Sequence, residues 1–575
     1  MENYESRISA LRGFMRAKGL KSVLILTGDP FASETPSPHY AFLRDYYCPF
    51  RGDNASVLIG LDQAYLWCDG RFFISAKKQL EASPFKMMKM DTEGYPSLYE
   101  FLSSHPDYFP LGGMEDCIPE SDFERLSSLG KIEDVDLFPL SEGAPEKSHS
   151  KLFVLGSDLV SEGAEEKIAR FKEKIGEGKA AIVTTLDDIA YLTNLRGDDI
   201  PYTPLFDSYL YLGEEDVLFV DERRIPDGYS ATKVMPIESV FDCLRAHGET
   251  PTYVDRDSCN SKIYSCLANP LPGTMPSNLE KAIKRQVEIE NTIRVQKEDG
   301  AALVRFQMLL ESGLPSDELA LSDRLHEFRR MGKGFIGESF QTICSASSNA
   351  AMMHYAPTSE SHSAVSSDDV CLLVDSGGQY LGGTTDTTRT FPINPTEEFR
   401  RDYTLTLKSL IAISKAVFLS SCTGRALDGL SREIMWREGM DYKCGTGHGV
   451  GYMGVVHEGP NGFRYKDVPG KNDGCAILPG MITTIEPGVY KEGNYGIRIE
   501  NNLLCVPAFQ NEFGRFYRFK TITYAPIETS CIEKGMLDAS EIEWLNDYHK
   551  QVYEALSPLL NDEEKAFLRK KTQAI

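Results

Sequence analysis

Apolar and polar positions divide the chain into two strand-rich regions and a longer C-terminal region. In each strand-rich region, two apolar strands joined by a short turn end in an Asp-x-Arg sequence, at Asp69-Gly70-Arg71 and at Asp221-Glu222-Arg223. Strand pairs bounded by glycine and acidic turns, with helical stretches around them, predict α/β units. We interpret the two regions as diverged copies of one unit, although the same strand pattern also arises without common origin.

Two polar breaks set the predicted domain limits. Residues 139–150 are rich in proline, glycine and serine, and residues 268–278 form a second such stretch. Ser277 with Glu280 fits a capping box, and apolar residues at helical spacing follow it. A chain of 575 residues is also too long for one ordinary core. We therefore predict an α+β protein with domains at residues 1–155, 156–283 and 284–575.

Composition argues against some classes of partner and favours one cellular compartment. The net charge is −24 and no basic stripe stands out, which argues against nucleic acid. No apolar run reaches the roughly 20 residues needed to span a bilayer, and the N-terminus lacks a signal-peptide pattern. The thirteen cysteines are scattered and form no CxxC pair, as is typical of reduced thiols. We expect a cytoplasmic protein with no membrane or nucleic-acid partner.

Candidate chemistry concentrates in the C-terminal region, where five of the ten histidines lie between residues 326 and 457. Asp375 follows an apolar strand, and Asp386 comes eleven residues later, after a Gly-Gly turn. Strand alternation puts Thr384, Asp386 and Thr388 on one face. Two carboxylates placed close together repel, so they usually share a cation or a proton. The alternative is that Asp375 caps the turn and Asp386 is a solvated strand residue.

Two further segments add an imidazole and two carboxylates. His448 and His457 lie in the glycine-rich sequence CGTGHGVGYMGVVHEGP. Glu486 ends an apolar strand before Pro-Gly, and fourteen residues later Arg498 and Glu500 alternate with two isoleucines. Each feature alone also fits a satisfied histidine in a turn or an exposed edge-strand ion pair. Together they supply four carboxylates and one imidazole without a thiolate, a donor set that suits manganese, cobalt or iron.

The order and spacing of the C-terminal motifs resemble aminopeptidase P (Xaa-Pro aminopeptidase) of the three-domain cytosolic type, within the pita-bread metallopeptidase family. The motifs are HYAP, VDSGGQY with GTTDTTRT, GTGHGVG, VHEGP, EPGVY and GIRIEN. The resemblance extends to WCDGRF and LDDIAYLTNLRG near the N-terminus and to WLNDYH near the C-terminus. It implies a C-terminal pita-bread catalytic domain preceded by two related α/β domains of the creatinase N-terminal type.

The resemblance also implies a role for each matching residue. Two divalent ions, usually manganese, would be held by Asp375, Asp386, His448, Glu486 and Glu500. Asp386 and Glu500 would bridge the ions, Asp375 would serve one ion, and His448 with Glu486 the other. His354 and His457 would bind substrate, and Arg498 would orient the bridging carboxylates. Glu486 would act as general base for a hydroxide that bridges the ions, in a homodimer that removes the first residue from peptides with proline second.

Two departures from the family pattern stand out. Cys444 occupies the position, four residues before His448, where a histidine is usual, and this puts the pH profile and the proline preference in doubt. Ser347 to Ala350 replaces a GPNG-like turn, which we expect to be tolerated. The alternatives are a prolidase-like dipeptidase, which has a shorter N-terminal half, and a metal-free pita-bread protein that binds peptides or histones.

Overall fold

The structure, a computed structural model, describes residues 4–313, 316–466 and 474–575. It forms two compact units. The N-terminal unit comprises Met1–Leu155 and Glu162–Asn278, and the C-terminal unit comprises Gly156–Ser161 and Leu279–Ile575. Both predicted strand-rich regions lie in the N-terminal unit.

The first strand-rich region forms a six-stranded sheet of order β4-β3-β2-β1-β5-β6. The three central strands β1, β2 and β3 pair antiparallel, and the remaining neighbours pair parallel. Its elements are α1 (Tyr4–Lys18), β1 (Ser22–Leu26), α2 (Pro38–Tyr47), β2 (Ala55–Gly60), β3 (Ala64–Cys68), α3 (Phe73–Leu80), β4 (Phe85–Lys89), α4 (Leu98–Ser104), β5 (Leu111–Gly113), α5 (Glu120–Leu129) and β6 (Ile132–Asp134).

The second region repeats this arrangement strand for strand. Its sheet has the order β12-β11-β10-β8-β13-β14, with the same pattern of antiparallel and parallel pairs. Its elements are β7 (Phe153–Val154), α6 (Ala164–Ile175), β8 (Ala180–Val183), α7 (Leu186–Thr193), β9 (Leu195–Arg196), β10 (Tyr209–Leu212), β11 (Val217–Phe219), β12 (Lys233–Met235), α8 (Val240–Ala246), β13 (Thr252–Val254), α9 (Ser261–Tyr264), β14 (Pro270–Pro272) and α10 (Pro276–Ala282), which ends in the C-terminal unit.

The Asp-x-Arg sequences have the same local structure in both regions. Arg71 Nη2 lies 2.8 Å from Asp69 Oδ2, and Arg223 Nη2 lies 2.7 Å from Asp221 Oδ2. The main-chain N–H of each arginine also donates to the aspartate of its own pair. The prediction of two related α/β units is confirmed by this shared topology.

The C-terminal unit combines long helices with short sheets. Its largest sheet has the order β23-β30-β29-β26-β24-β25, and a second has the order β17-β19-β22. Its elements are α11 (Gln286–Glu311), β15 (Ser316–Asp317), α12 (Glu318–Arg330), β16 (Phe335–Glu338), β17 (Ile343–Ala346), β18 (Ala364–Val365), β19 (Cys371–Ser376), β20 (Gly378–Tyr380), β21 (Gly383–Thr384), β22 (Thr387–Pro392), α13 (Glu397–Ser414), β23 (Val417–Leu419), α14 (Gly424–Arg437), β24 (Gly447–Gly449), β25 (Glu458–Phe463), β26 (Ile482–Ile485), β27 (Gly488–Lys491), β28 (Tyr495–Arg498), β29 (Asn501–Asn511), β30 (Gly514–Thr521), α15 (Ala539–Leu556) and α16 (Asp562–Lys571).

The core of this unit lies between α13 and the strands that carry the candidate site. Phe399, Tyr403, Leu407 and Leu410 recur at helical spacing on α13 and are buried in one cluster with residues of β26, β28 and β29. This face of α13, a helix buried on several sides, therefore holds the strands against a common support. Across the described ranges, no helix is both long enough and apolar enough to cross a membrane.

Two local expectations differ from the structure. The strand predicted through Thr384 and Thr388 is interrupted at Thr385 and Asp386, which separate β21 from β22. The Thr385 N–H donates to the Gly378 carbonyl at 2.9 Å, but the Thr385 hydroxyl, in place of its carbonyl, accepts from the Gly378 N–H at 2.8 Å. The capping box at Ser277 is wrong. Helix α10 begins at Pro276, whose fixed φ suits a first helical turn, and the buried Ser277 hydroxyl has no hydrogen-bond partner in the described chain.

Arg389, on β22, forms hydrogen bonds both to the strands that carry the candidate site and to residues 525–548 near the C-terminus. Its guanidinium is buried and donates to six acceptors, which come from four stretches of chain. They are the carbonyls of Thr388, Glu500, Ala525 and Pro526, Asn501 Oδ1 and the hydroxyl of Tyr548 on α15. A planar fork with five N–H groups can serve this set, whereas an ammonium group with three cannot.

We expect Arg389→Lys to lower the free energy of unfolding of the C-terminal unit by about 2–4 kcal/mol, because at least two buried acceptors lose their donors. Denaturant unfolding of the variant and of wild type measures this. The exposed Arg437→Lys on α14 is the control, with a change within about 0.5 kcal/mol. Equal stability of Arg389→Lys and wild type would contradict this account of the buried arginine.

Candidate metal centre

Short strands and their ends bring the five predicted ligands to one place. Asp375 lies near the end of β19 and Asp386 directly before β22, and the β19–β22 ladder pairs Asp375 with Thr388. Glu486 follows β26, and Glu500 lies between β28 and β29 with its N–H bonded to the Thr388 carbonyl at 3.1 Å. His448 is the middle residue of β24, which pairs with β26.

Glycines on either side of His448 let β24 lie unusually close to its neighbours. A Cβ on Gly447 would lie 1.9 Å from the Thr484 carbonyl oxygen, and one on Gly449 would lie 2.2 Å from the Glu458 carbonyl oxygen. His448 Nδ1 is 3.0 Å from the Gly449 carbonyl oxygen. A proton on Nδ1 donates to that oxygen, so Nε2 is the ring nitrogen that faces the carboxylates.

The ligand atoms of three residues lie within bonding reach of one ion. Those of Asp386, His448 and Glu500 are all within 4.8 Å of one another. His448 Nε2 is 3.4 Å from Asp386 Oδ2 and 3.4 Å from Glu486 Oε1. Glu486 therefore adjoins the same ring nitrogen as Asp386.

Asp375 is held by Arg498. Arg498 Nη2 donates to Asp375 Oδ2 at 2.6 Å, and Arg498 Nε donates to the Thr388 hydroxyl at 3.1 Å. That hydroxyl donates in turn to Glu500 Oε2 at 2.9 Å. A further bond, from Arg498 Nη1 to the Tyr490 hydroxyl at 2.7 Å, fixes the guanidinium plane. Arg498 thus orients Asp375 directly and Glu500 through Thr388.

Two carboxylate oxygens at this point lack a partner. Asp375 Oδ1 and Glu500 Oε1 are buried and accept no hydrogen bond from the residues that the structure describes. A buried carboxylate oxygen left in this way costs several kcal/mol on the order-of-magnitude scale for unpaired charges. Both oxygens belong to predicted ligands, and oxygen donors with one imidazole suit a hard or borderline divalent ion. The residues present therefore fit a metal site.

Burial and the crowding of charges raise the pKa values of four candidate ligands. Burial, and then the charges of Asp386 and Asp375, raise the pKa of Glu500 well above its ordinary value. Burial also raises the pKa values of Asp375 and Glu486, against the charges of Arg498 and His448 respectively. Burial alone would lower the pKa of His448, but its bond to Asp386 and the charge of Glu486 raise it to about 9.

The two predicted substrate-binding histidines adjoin this cluster. The His457 and His448 rings meet edge to face, with centroids 4.4 Å apart. His354 is half buried in the segment after β17, and the carbonyl of its neighbour Met353 accepts from Arg498 Nη2 at 3.3 Å. His457 therefore contacts a candidate ligand directly, and His354 is connected through Met353 to Arg498, which orients Asp375.

Some contributors were missed at the level of the sequence. The bond from the Thr388 hydroxyl to Glu500 depends on strand register, which a single sequence does not reveal. Tyr490 has no signal in the pattern beyond its place in EPGVY. Cys444, where a histidine is usual, is half buried beside the cluster of Leu405, Met435, Tyr442 and Val489.

Comparison with known proteins identifies the family. Residues 290–507 match metallopeptidase family M24, residues 143–288 match the creatinase/prolidase N-terminal domain, and residues 515–575 match the C-terminal region of peptidase M24. Xaa-Pro aminopeptidase 1 of Dictyostelium discoideum is 33% identical over 597 residues, which cover 96% of this chain and 93% of that protein. The chain belongs to the M24 metallopeptidases.

Two other relatives place this M24 metallopeptidase more closely. The probable Xaa-Pro aminopeptidase P of Coprinopsis cinerea is 32% identical and is covered over 98% of its length. A crystal structure of X-prolyl aminopeptidase from Caenorhabditis elegans, described as a cytosolic enzyme with a di-nuclear active site, matches with a TM-score of 0.93. It is 29% identical and the match covers 100% of both chains. The predicted creatinase-like N-terminal fold and the pita-bread fold are confirmed.

We expect the affinity of this M24 metallopeptidase for a divalent ion to rise with pH up to about 9, the raised pKa of His448. A group with a raised pKa holds its proton in the metal-free folded state, and a metal must displace that proton. By the same linkage, the stability that charged His448 contributes to the metal-free protein is complete below pH 6.5 and is lost as the pH rises to about 9.

Titration calorimetry with a divalent ion at several pH values, each in two buffers of different ionisation enthalpy, measures both affinity and proton release. Affinity that stays constant between pH 6.5 and 9, without proton release, would rule out a site built on His448.

Proposed function

We propose that this protein is an Xaa-Pro aminopeptidase, which hydrolyses the peptide bond before a proline at the second position and releases the N-terminal residue. The observation that carries this proposal is the convergence of Asp375, Asp386, His448, Glu486 and Glu500 with two unpartnered carboxylate oxygens. Relatives named for this activity align along nearly the whole chain, which favours it over a prolidase-like dipeptidase. Retention of all five ligand residues argues against a metal-free binding protein.

We propose that these five residues hold two divalent ions. Asp386 and Glu500, whose ligand atoms lie within 4.8 Å of one another and of that of His448, would help to hold both ions. Asp375 would serve one ion, and His448 with Glu486 the other, in keeping with the contact between the last two. When bound, such a pair of ions lowers the pKa of water and stabilises negative charge on a carbonyl oxygen.

We propose that Glu486 moves the proton. Its side chain is 19% exposed, against 6% for Asp386 and 11% for Asp375, so among these carboxylates it has the readiest access to water. A general base must reach both the attacking water and the group that later receives the proton. We therefore assign Glu486 to accept the proton of the attacking water and to pass it to the leaving proline nitrogen.

The histidines act on the substrate in this proposal. His457, edge to face with His448, would donate a hydrogen bond to the carbonyl oxygen as negative charge develops there. His354 would contact the substrate from the segment that Arg498 holds through Met353. The acidic ligand cluster would attract the free amino end of the peptide.

Four further properties belong to the same proposal. Manganese is the proposed metal, because the donor set is rich in oxygen with one imidazole. A cytoplasmic location is supported by the thirteen cysteines, which form no disulfide in the described structure, and by the relative described as cytosolic. Domains at 1–155, 156–283 and 284–575 are supported by the two separate six-stranded sheets of the N-terminal unit and by the sheets of the C-terminal unit. A homodimer rests on the family resemblance alone, and light scattering of the purified protein tests it.

We expect chelator-treated protein to be inactive and to regain Xaa-Pro cleavage when manganese is added. Glu486→Gln should fold normally and lose activity by about 100-fold or more, because the general base is gone. Peptide assays with a Xaa-Pro panel and a matched panel without proline measure this, with the exposed Glu492→Gln as control. Cleavage of other N-terminal bonds by the manganese-loaded protein, with Xaa-Pro peptides left intact, would refute the substrate assignment.

A further inference from the structure

Glu318, the first residue of α12, is a buried carboxylate outside the metal centre. It is fully buried and accepts hydrogen bonds from four residues. The donors are the Ala346 N–H at 2.7 Å, Asn349 Nδ2 at 2.9 and 3.2 Å, the Tyr355 hydroxyl at 2.7 Å and the Ser363 N–H at 2.7 Å.

All four donors belong to one stretch of chain, residues 346–363, which carries His354. Ala346 ends β17 at the start of this stretch, and Ser363 precedes β18 at its end. The Glu318 N–H also donates to the Ser363 carbonyl at 3.0 Å. The segment therefore leaves and returns to a single carboxylate, and Tyr355, the direct neighbour of His354, is bonded to it in between.

The negative charge of Glu318 is balanced by this segment. Among the described residues, neither lysine nor arginine forms an ion pair with it, so neutral N–H and O–H dipoles carry the compensation. Hydrogen bonds to a charged group are roughly twice as strong as neutral ones, and a buried carboxylate is tolerated only when such bonds are complete. Any displacement of residues 346–363 would therefore leave the buried carboxylate of Glu318 without some of its hydrogen-bond donors.

The same segment is held on its other side by the metal centre. Arg498 Nη2 donates to the Met353 carbonyl at 3.3 Å and to Asp375 Oδ2 at 2.6 Å. His354 thus lies between two fixed points, one on each chain neighbour: Arg498 through Met353, and Glu318 through Tyr355. Asn349 supplies a side-chain donor to this arrangement, which explains how the unusual turn Ser347 to Ala350 keeps its shape.

We propose that Glu318 is a positioning residue that holds His354 against the substrate. This inference rests on the proposed function, because it assumes that His354 contacts the substrate. A buried glutamate that is distant in sequence from every candidate ligand would thus affect the rate of peptide hydrolysis.

The test is a comparison of Glu318→Gln with wild type in the manganese-loaded enzyme. Glutamine replaces one acceptor by an NH2 group that faces other donors, so the segment must shift. A displacement of about 1 Å at a reacting group can cost 100-fold in rate. We expect kcat/KM for a Xaa-Pro peptide to fall about 100-fold, mainly in kcat, with the metal content unchanged. The exposed Glu327→Gln on the same helix should match wild type.

A double-mutant cycle separates positioning from general damage to the fold. If Glu318 acts through His354, Glu318→Gln should cost less than about 3-fold when introduced into a His354→Ala enzyme, because the contact that it supports is already gone. The same 100-fold loss in both backgrounds, or no loss in wild type, would overturn the inference.

Two milder variants cover the case in which Glu318→Gln does not fold. Tyr355→Phe and Asn349→Ala each remove a side chain that donates to the carboxylate, and each should lower kcat/KM about 3- to 10-fold in wild type and have little effect in His354→Ala. Unchanged kcat/KM in both variants would overturn the inference as well. Failure of the proposed function is distinct, because wild type itself would then leave Xaa-Pro peptides intact.

Discussion

The candidate site depends on burying four carboxylates around one imidazole. Such groups repel each other at short range, and burial makes the repulsion stronger because water no longer screens it. In this chain the repulsion is answered by Arg498, which pairs with Asp375 and reaches Glu500 through Thr388. One arginine does not balance four carboxylates. The oxygens that remain unpartnered are the physical reason to place cations there.

The rest of the C-terminal unit serves to keep these groups from moving apart. Helix α13 supports the strands from one side, and Arg389 joins them to α15 through buried hydrogen bonds. Glycines beside His448 permit strand contacts that any side chain would block. Glu318 holds residues 346–363 in a similar way, because its carboxylate accepts hydrogen bonds from both ends of that stretch. A rigid frame of this kind holds reacting groups in place before substrate arrives.

Much of the fold and of the candidate site could be predicted from local pattern. The two N-terminal sheets follow from alternating strands that stop at Asp-x-Arg, and the structure gives them the same strand order. The five candidate ligand positions can be found in the sequence because each lies beside glycine, proline or a buried strand. Contacts between distant segments were not visible. The bond from Thr388 to Glu500 and the four donors of Glu318 depend on register and on loop return, which a single sequence does not encode in any short motif. The capping box predicted at Ser277 is wrong because the helix begins at Pro276, so Ser277 lies inside the helix and does not precede it.

The most direct test of the central claim is an anomalous diffraction measurement on crystals of the protein grown with manganese. The account predicts two anomalous peaks per chain, both in contact with Asp386 and Glu500, one beside Asp375 and the other beside His448 and Glu486. A single peak, or peaks located away from these five side chains, would contradict it.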